Sequence, residues 1–173
     1  MKKLLQLLAL SSVMFTSIAF ASAENANERH ANKDELVGAW RVVGFLSGSF
    51  GKHYPDSHYL APSQIYGFYP DGHVRSLVSD KAKSYTQNLE ELEAHFTNKP
   101  ATLHYNFIND SHIAITIDEK QEIGTVWRAH ISVEDGNLEG IPFKSGDLIM
   151  GMTPKKDDPE QKMRYIRVLR KNQ

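Results

Sequence analysis

The chain contains no cysteine. That excludes a disulfide framework, a thiolate metal site, a cysteine nucleophile and the lipid-carrying cysteine of a bacterial lipoprotein. An excess of either charge is also missing, since 20 Lys and Arg stand against 21 Asp and Glu. No global basic field therefore recruits nucleic acid or anionic lipid. There is no Gly-x-Ser-x-Gly elbow, and Gly48 and Gly51 lack the helix start and lysine of a phosphate-binding loop. Aromatic and basic residues are not interleaved on one strand as an RNA-binding sheet requires. The carboxylates Glu90, Glu91 and Glu93, and the group Asp157, Asp158 and Glu160, read as solvated charge.

Long hydrophobic runs are scarce as well, with one exception at the start. Met1-Lys2-Lys3 is followed by an apolar stretch from Leu4 to Phe20 and by Ala21-Ser22-Ala23. A basic start, an apolar middle and small residues at the cleavage positions are the parts of a secretory signal peptide. Gln6 and several Ser and Thr make the stretch a poor permanent membrane span. Cleavage after Ala23 would leave 150 residues with 18 basic and 21 acidic side chains, a net charge of −3. The expectation is a periplasmic or secreted protein with no stable membrane insertion once residues 1–23 are removed. Residues 24–34, ENANERHANKD, lack periodicity and are expected to form a mobile leader. Residues 35–173 form one domain.

From Leu36 onward short apolar runs alternate with turn residues, the pattern of an all-β domain. Strands are predicted at about 38–46, 64–69, 73–79, 101–108, 112–118, 123–133, 137–143, 147–153 and 163–170. Between them, Ser84 to Lys99 places Leu89, Leu92 and Phe96 at helical spacing, and Pro100 stops it. This predicts one short amphipathic helix packed over an opening or a flank of the sheet. Two hairpins fix register. Pro70-Asp71-Gly72 is a three-residue loop that pairs Phe68 with Val74. A three-residue loop at Asn109-Asp110-Ser111 sets Leu103, Tyr105 and Phe107 on one face with Ile113, Ile115 and Ile117. Each strand then has one apolar and one mixed face, which suits a sheet that closes on itself or two sheets packed as a sandwich.

The eight histidines have no strong metal-ligand spacing. His53 and His58, with Asp56 between them, come closest, yet they lie in a long loop and read as ordinary loop residues. No metal, cofactor or catalytic residue is assigned. The apolar sheet face instead carries large and varied side chains: Tyr66, Phe68, Tyr105, Phe107, Trp127, Met150 and Met152. Residue by residue these are core, but as a set they are candidates to line a cavity, because barrels of about eight strands either fill or hold one small ligand. Residues 47–62 would lie at its mouth as a lid.

LVGAWRVVGF, residues 36–45, resembles the start of the first strand in lipocalins and related calycins, where a Gly-x-Trp motif opens the barrel. MRYIRVLRK, residues 163–171, resembles their last strand, whose arginine typically packs across that tryptophan. IYGFYPDGHVRSLV, residues 65–78, and GDLIMGMTPKKDDPEQKMRYIRVLRK are similar to bacterial lipocalin-like domains. The resemblance implies an all-β, antiparallel up-and-down barrel of about 8–10 strands with one short helix. It also implies that Trp40 closes one end. Parity with Ile166 and Val168 favours Arg170 as the covering arginine, with Arg167 as second choice. The chain departs from larger lipocalins in lacking disulfides and in placing its helix between the third and fourth predicted strands.

On this reading the protein binds a small, largely apolar molecule inside the barrel, with Tyr66, Phe68, Tyr105, Phe107, Trp127 and Met150 as wall residues. Two other classes remain open. One is an interaction or inhibitor protein that grips a protein partner through loop 47–62. The other is a barrel enzyme using polar groups such as Arg75 or His130.

Overall fold

The computed structural model describes residues 28–97, 99–100, 102–117, 122–153 and 165–171. The expected signal peptide and residues 154–164, where the last strand was predicted to begin, lie outside the described residues. In chain order the elements are β1 (Glu28–His30), α1 (Lys33–Leu36), β2 (Gly38–Leu46), α2 (Phe50–His53), β3 (Ser63–Phe68), β4 (His73–Ser79), α3 (Tyr85–Phe96), β5 (Leu103–Asn109), β6 (His112–Ile117), β7 (Glu122–Ser132), β8 (Gly136–Leu138), β9 (Ile141–Phe143), β10 (Leu148–Thr153) and β11 (Ile166–Arg170). A single 3-10 turn, His58–Leu60, lies between α2 and β3.

Every strand pairing is antiparallel, and the order β2-β3-β4-β5-β6-β7-β10-β11 closes when β11 pairs back onto β2. The protein is thus a closed, eight-stranded up-and-down barrel. Closure leaves no edge in the ring, so each strand can turn one face inward and the other to solvent or to covering segments.

Both predicted hairpin registers set the interior. Phe68 faces Val74, and Tyr69 N–H donates to the carbonyl of His73 at 3.0 Å across the Pro-Asp-Gly turn. Phe107 faces Ile113, Tyr105 faces Ile115 and Leu103 faces Ile117. The second turn is tighter than expected. Asn109 pairs directly with His112, and the extra residue is absorbed as an irregularity at Ile108, which is exposed. The predicted facial alternation survives because the bulge replaces the third loop residue.

Two sequence expectations need correction. Residues 28–34 are not a loose leader: β1 pairs with β7, and Asn32 caps α1 in a reciprocal capping box with Glu35. The predicted strand 137–143 is a hairpin of β8 and β9. Glu139 (φ 50°) and Gly140 (φ 96°) adopt the two left-handed conformations a tight turn needs, and a glycine supplies one without strain. The expected short helix is α3, and two one-turn helices, α1 and α2, accompany it. α3 has Ser84 and Gln87 as its own capping box, buries Leu92, and joins β3 through the buried Asn88–Ser63 bond at 2.9 Å. It covers a flank of the barrel, over the outward faces of β3 and β4.

A bulge in β2 decides what the barrel encloses. Val168 faces Gly44 while Leu169 faces Val42, so Val43 is an extra residue. Trp40 and Val42 on one side of the slip and Phe45 on the other all reach the interior cluster, where strict alternation would have sent Gly44 inward. Gly44 instead lies under the β8–β9 hairpin. A Cβ there would meet Ile141 Cγ2 at 2.5 Å, so any side chain would force Ile141 to move.

Candidate ligand-binding site

One end of the barrel is sealed. Trp40 is 2% exposed, and its indole N–H donates to the carbonyl of Leu36 in α1 at 2.7 Å. The cation over the ring is Lys171, with Nζ 4.6 Å from the ring centroid, and its ammonium also donates to the carbonyls of Glu35 and Val37 at 2.7 and 2.6 Å. Arg170, the expected covering residue, instead donates from Nε and Nη2 to Asp147 at 2.8 and 2.5 Å. The physical reason is parity. Arg167 and Leu169 point inward on β11 and Lys171 continues that row beyond its end, whereas Ile166, Val168 and Arg170 belong to the other row.

The opposite end is covered by the loop between β2 and β3. Phe50 is buried, and Tyr59 and Leu60 pack against the interior cluster. Tyr59 stands edge-on to Trp127 at 5.7 Å, and its carbonyl accepts from the Tyr165 hydroxyl at 2.6 Å and from Gln64 Nε2 at 2.8 Å. Gln64 donates to the carbonyl of Ala61 as well and accepts from the Tyr66 hydroxyl at 2.9 Å. The loop is therefore tied down as a lid by a buried amide and a phenol from the barrel wall.

Beneath this lid lies Arg167, 0% exposed. Its guanidinium carbon sits 4.0 Å from the ring centroid of Tyr66 on β3 and 4.1 Å from that of Trp127 on β7. These two strands lie on opposite sides of β11, each two places away around the ring. The side chain thus projects into the barrel interior and is sandwiched there. Tyr59 completes the surround at 5.9 Å, and Nη2 approaches Met150 Sδ at 3.7 Å. Nε and Nη1 are buried without a hydrogen-bond partner among the described residues. The other interior polar groups are committed: Trp127 N–H donates to Thr125 Oγ1 at 2.7 Å, and Tyr105 O–H to the carbonyl of Tyr69 at 2.9 Å.

This environment shifts its neighbours. Burial pushes the Tyr66 and Tyr165 hydroxyls above the ordinary tyrosine range, with the charge of Arg167 opposing it in both. Burial, and then the charge of Arg167, hold His58 of the lid below the usual imidazole value. Both phenols therefore stay neutral donors at physiological pH.

The six residues singled out as wall candidates separate into two groups. Tyr66, Trp127 and Met150 surround Arg167. Phe68 and Tyr105 form an edge-to-face pair at 5.4 Å, and Tyr105 is tied by its hydroxyl to the turn carbonyl of Tyr69; Phe107 is only partly buried against the cluster. Sequence reasoning missed Gln64, Tyr59 and Tyr165 and ranked Arg167 second for a different task. The available signal was the spacing Tyr165-x-Arg167-x-Leu169-x-Lys171, which is as regular as the Ile166-x-Val168-x-Arg170 row taken to be internal.

Side chains considered for other functions lie elsewhere. Arg75 pairs in register with outward-facing Gly67 and stacks on Tyr69 and on Phe96 of α3, at 4.8 and 5.3 Å. With Tyr69, Asp71, His73 and Pro100 it lines an open surface groove of about 290 Å³. His130 faces outward toward β1, 3.4 Å from Glu28 Oε2 and edge-on to His30. The two polar groups considered for a barrel enzyme are therefore both outside. In loop 47–62, Phe50, Tyr59 and Leu60 are turned inward, and Tyr54 is the large apolar residue left exposed. Among the described residues no group of three or more His, Asp or Glu is placed to hold a metal ion, and no helix is long and apolar enough to cross a membrane. No family model matches the chain, and neither a curated protein nor a solved structure matches it.

Proposed function

We propose that this protein is an exported, lipocalin-like carrier or sensor that holds a small, largely apolar molecule inside its barrel, under the lid formed by residues 47–62. The observation that carries the reading is the aromatic enclosure of Tyr59, Tyr66, Trp127 and Tyr165 around a buried guanidinium with two unsatisfied nitrogens. Two cation–π contacts stabilise the charge by about 0.5–2 kcal/mol each. Each buried donor left unpaired costs about 1–3 kcal/mol. The stacking at best offsets the loss, and an apolar side chain of similar volume would serve a solid core as well or better. An aromatic box with unspent donors is instead the composition of a recognition site, where a few placed polar groups orient a ligand within apolar walls.

The reading is tested by native mass spectrometry of the protein purified gently from cells, followed by displacement of an environment-sensitive fluorescent lipid. A bound or displaceable small molecule is expected, with reduced affinity in Trp127→Ala. A protein that carries nothing and takes up no apolar probe would refute it.

A further inference from the structure

The outer wall of the barrel, beside the β3–β4 turn, holds a second arginine in a different way. Gly67 on β3 has no side chain, and the Tyr69 ring lies over it so closely that a Cβ there would meet the ring at 3.0 Å. Arg75 stands opposite Gly67 on β4 and rests its guanidinium against that ring at 4.8 Å and against Phe96 of α3 at 5.3 Å. Three elements thus fix one exterior guanidinium on aromatic surfaces. No carboxylate among the described residues forms an ion pair with it, and its Nε is buried there without a hydrogen-bond partner. Burial and then Glu93 push the Tyr69 hydroxyl above the ordinary tyrosine range, with Arg75 opposing them, so the phenol stays neutral. Glu93 accepts from that hydroxyl at 3.2 Å and does not line the groove.

Two residues before Arg75, on the same side of β4, His73 is also held in place. Asp71 Oδ1 accepts from its backbone N–H at 3.0 Å, Oδ2 lies 2.9 Å from ring Nδ1, and the ring packs on His104 of β5 at 4.1 Å between centroids. Both Asp71 oxygens are therefore spent on His73, which holds that carboxyl below its ordinary range. Ring Nε2 is left without a protein partner among the described residues. His73 and Arg75 line the open groove of about 290 Å³ together with Tyr69, Asp71 and Pro100. Strand geometry sets the roots of the two side chains about 7 Å apart, so they reach the groove from two directions. A planar carboxylate fills the arginine fork and leaves the imidazole without a partner, whereas a tetrahedral phosphate has oxygens for both. With its proton on Nδ1 toward Asp71, His73 accepts at Nε2 from a P–OH group; as imidazolium it donates there to an ionised oxygen.

We infer that this exterior groove binds a phosphate group, free or as the monoester of a small organic molecule, gripped by Arg75 and His73. In a monoester the organic part lies against Pro100 and the Tyr69 ring. The site is separate from the barrel interior and does not depend on what the interior holds.

The test is an amide NMR titration of the isotope-labelled protein at pH 7.5 and constant ionic strength, with inorganic phosphate, phenyl phosphate and benzoate as probes. Saturable shifts are expected for phosphate probes in the amides of residues 69–75, with half-saturation at about 1 mM or below. Benzoate should bind at least about fivefold more weakly. Arg75→Gln should weaken phenyl phosphate at least about tenfold, and Arg75→Lys should keep part of the affinity, because an ammonium retains the charge without the planar fork. Circular dichroism checks that both variants fold. If one of them does not, the phosphate-to-benzoate ratio of the wild type and the location of its shifts still decide. Tighter binding of phenyl phosphate than of inorganic phosphate assigns a monoester and equal binding assigns the free ion, and both support the site. Shifts that do not saturate or that fall elsewhere, benzoate binding as tight as phosphate, or unchanged affinity in Arg75→Gln overturns it.

Discussion

Replacing Trp40 by Ala is the most direct test of how the barrel is closed. The indole is 2% exposed and fills the sealed end, so its loss removes about 150–250 Å² of buried aromatic surface and leaves a cavity in a ring of strands that cannot close inward. Aromatic-to-alanine substitutions of this kind cost about 3–5 kcal/mol. Two further contributions are specific to this site. The hydrogen bond to the carbonyl of Leu36 contributes about 1 kcal/mol, and the Lys171 ammonium, which is half inside, loses a cation–π contact of about 0.5–2 kcal/mol. The expected loss is therefore at the upper end, about 4–5 kcal/mol. That is a large share of the 5–15 kcal/mol typical of a whole domain. Trp40→Phe keeps most of the volume and should lose about 1–2 kcal/mol. The assay is equilibrium urea denaturation followed by fluorescence, in which Trp127 remains as the reporter because the chain has two tryptophans. A loss below about 1 kcal/mol for Trp40→Ala would mean that the indole is not the plug and that the assignment of the closed end is wrong.

Four other predictions concern the last strand and the lid. Lys171→Met should destabilise by about 1–3 kcal/mol, since it deprives two carbonyls of their donor, and should reduce the additional loss from Trp40→Ala in a double-mutant cycle. Arg170→Ala should also destabilise, because it strands the nearly buried Asp147 carboxylate, but it should show no coupling to Trp40; coupling of Trp40 to Arg170 rather than to Lys171 would refute the assignment. Tyr165→Phe removes the 2.6 Å bond to the lid carbonyl at a cost of about 1 kcal/mol, and should raise amide hydrogen exchange in residues 57–61 more than in β11; unchanged exchange there would show that the phenol does not hold the lid. The pH prediction follows from His58, whose pKa is lowered by burial and by Arg167. Between the ordinary imidazole value and the lowered one, an opened lid binds a proton that the closed lid refuses, so closure weakens as pH falls below about 6.5. Protection of the lid amides, after correction for the slower intrinsic exchange at low pH, should fall from pH 7 to 5 in the wild type and much less in His58→Gln.

Local chemistry accounts for what could be read without coordinates. The Pro70-Asp71-Gly72 turn, the alternation of β5 and β6 and the helical spacing of Leu89, Leu92 and Phe96 each depend on neighbours within a few residues, so pattern alone sets strand faces and the helix. The same holds for the absence of cysteine, which restricts stability to packing and hydrogen bonding. The Gly-x-Trp start of β2 also pointed to Trp40 as a plug, and the indole is 2% exposed at that strand end.

What only the tertiary structure decided is everything that passes through a bulge or across the barrel. The extra residue Val43 brings Phe45 inside and leaves Gly44 outside under Ile141, a choice made by the partner strand β11 and the β8–β9 hairpin rather than by β2 itself. On β11 two alternating rows, Tyr165-Arg167-Leu169-Lys171 and Ile166-Val168-Arg170, are equally regular, and an apolar count favours the wrong one. The inward row is fixed by what stands opposite: Tyr66 and Trp127 for Arg167, Trp40 for Lys171, and Asp147 outside for Arg170. A cation's face is chosen by the π surfaces and carboxylates that meet it, and these come from strands tens of residues away. Arg170, expected to cover the closed end, is therefore held in a partly buried ion pair with Asp147, and the one ranked second is the buried charge at the heart of the proposed site.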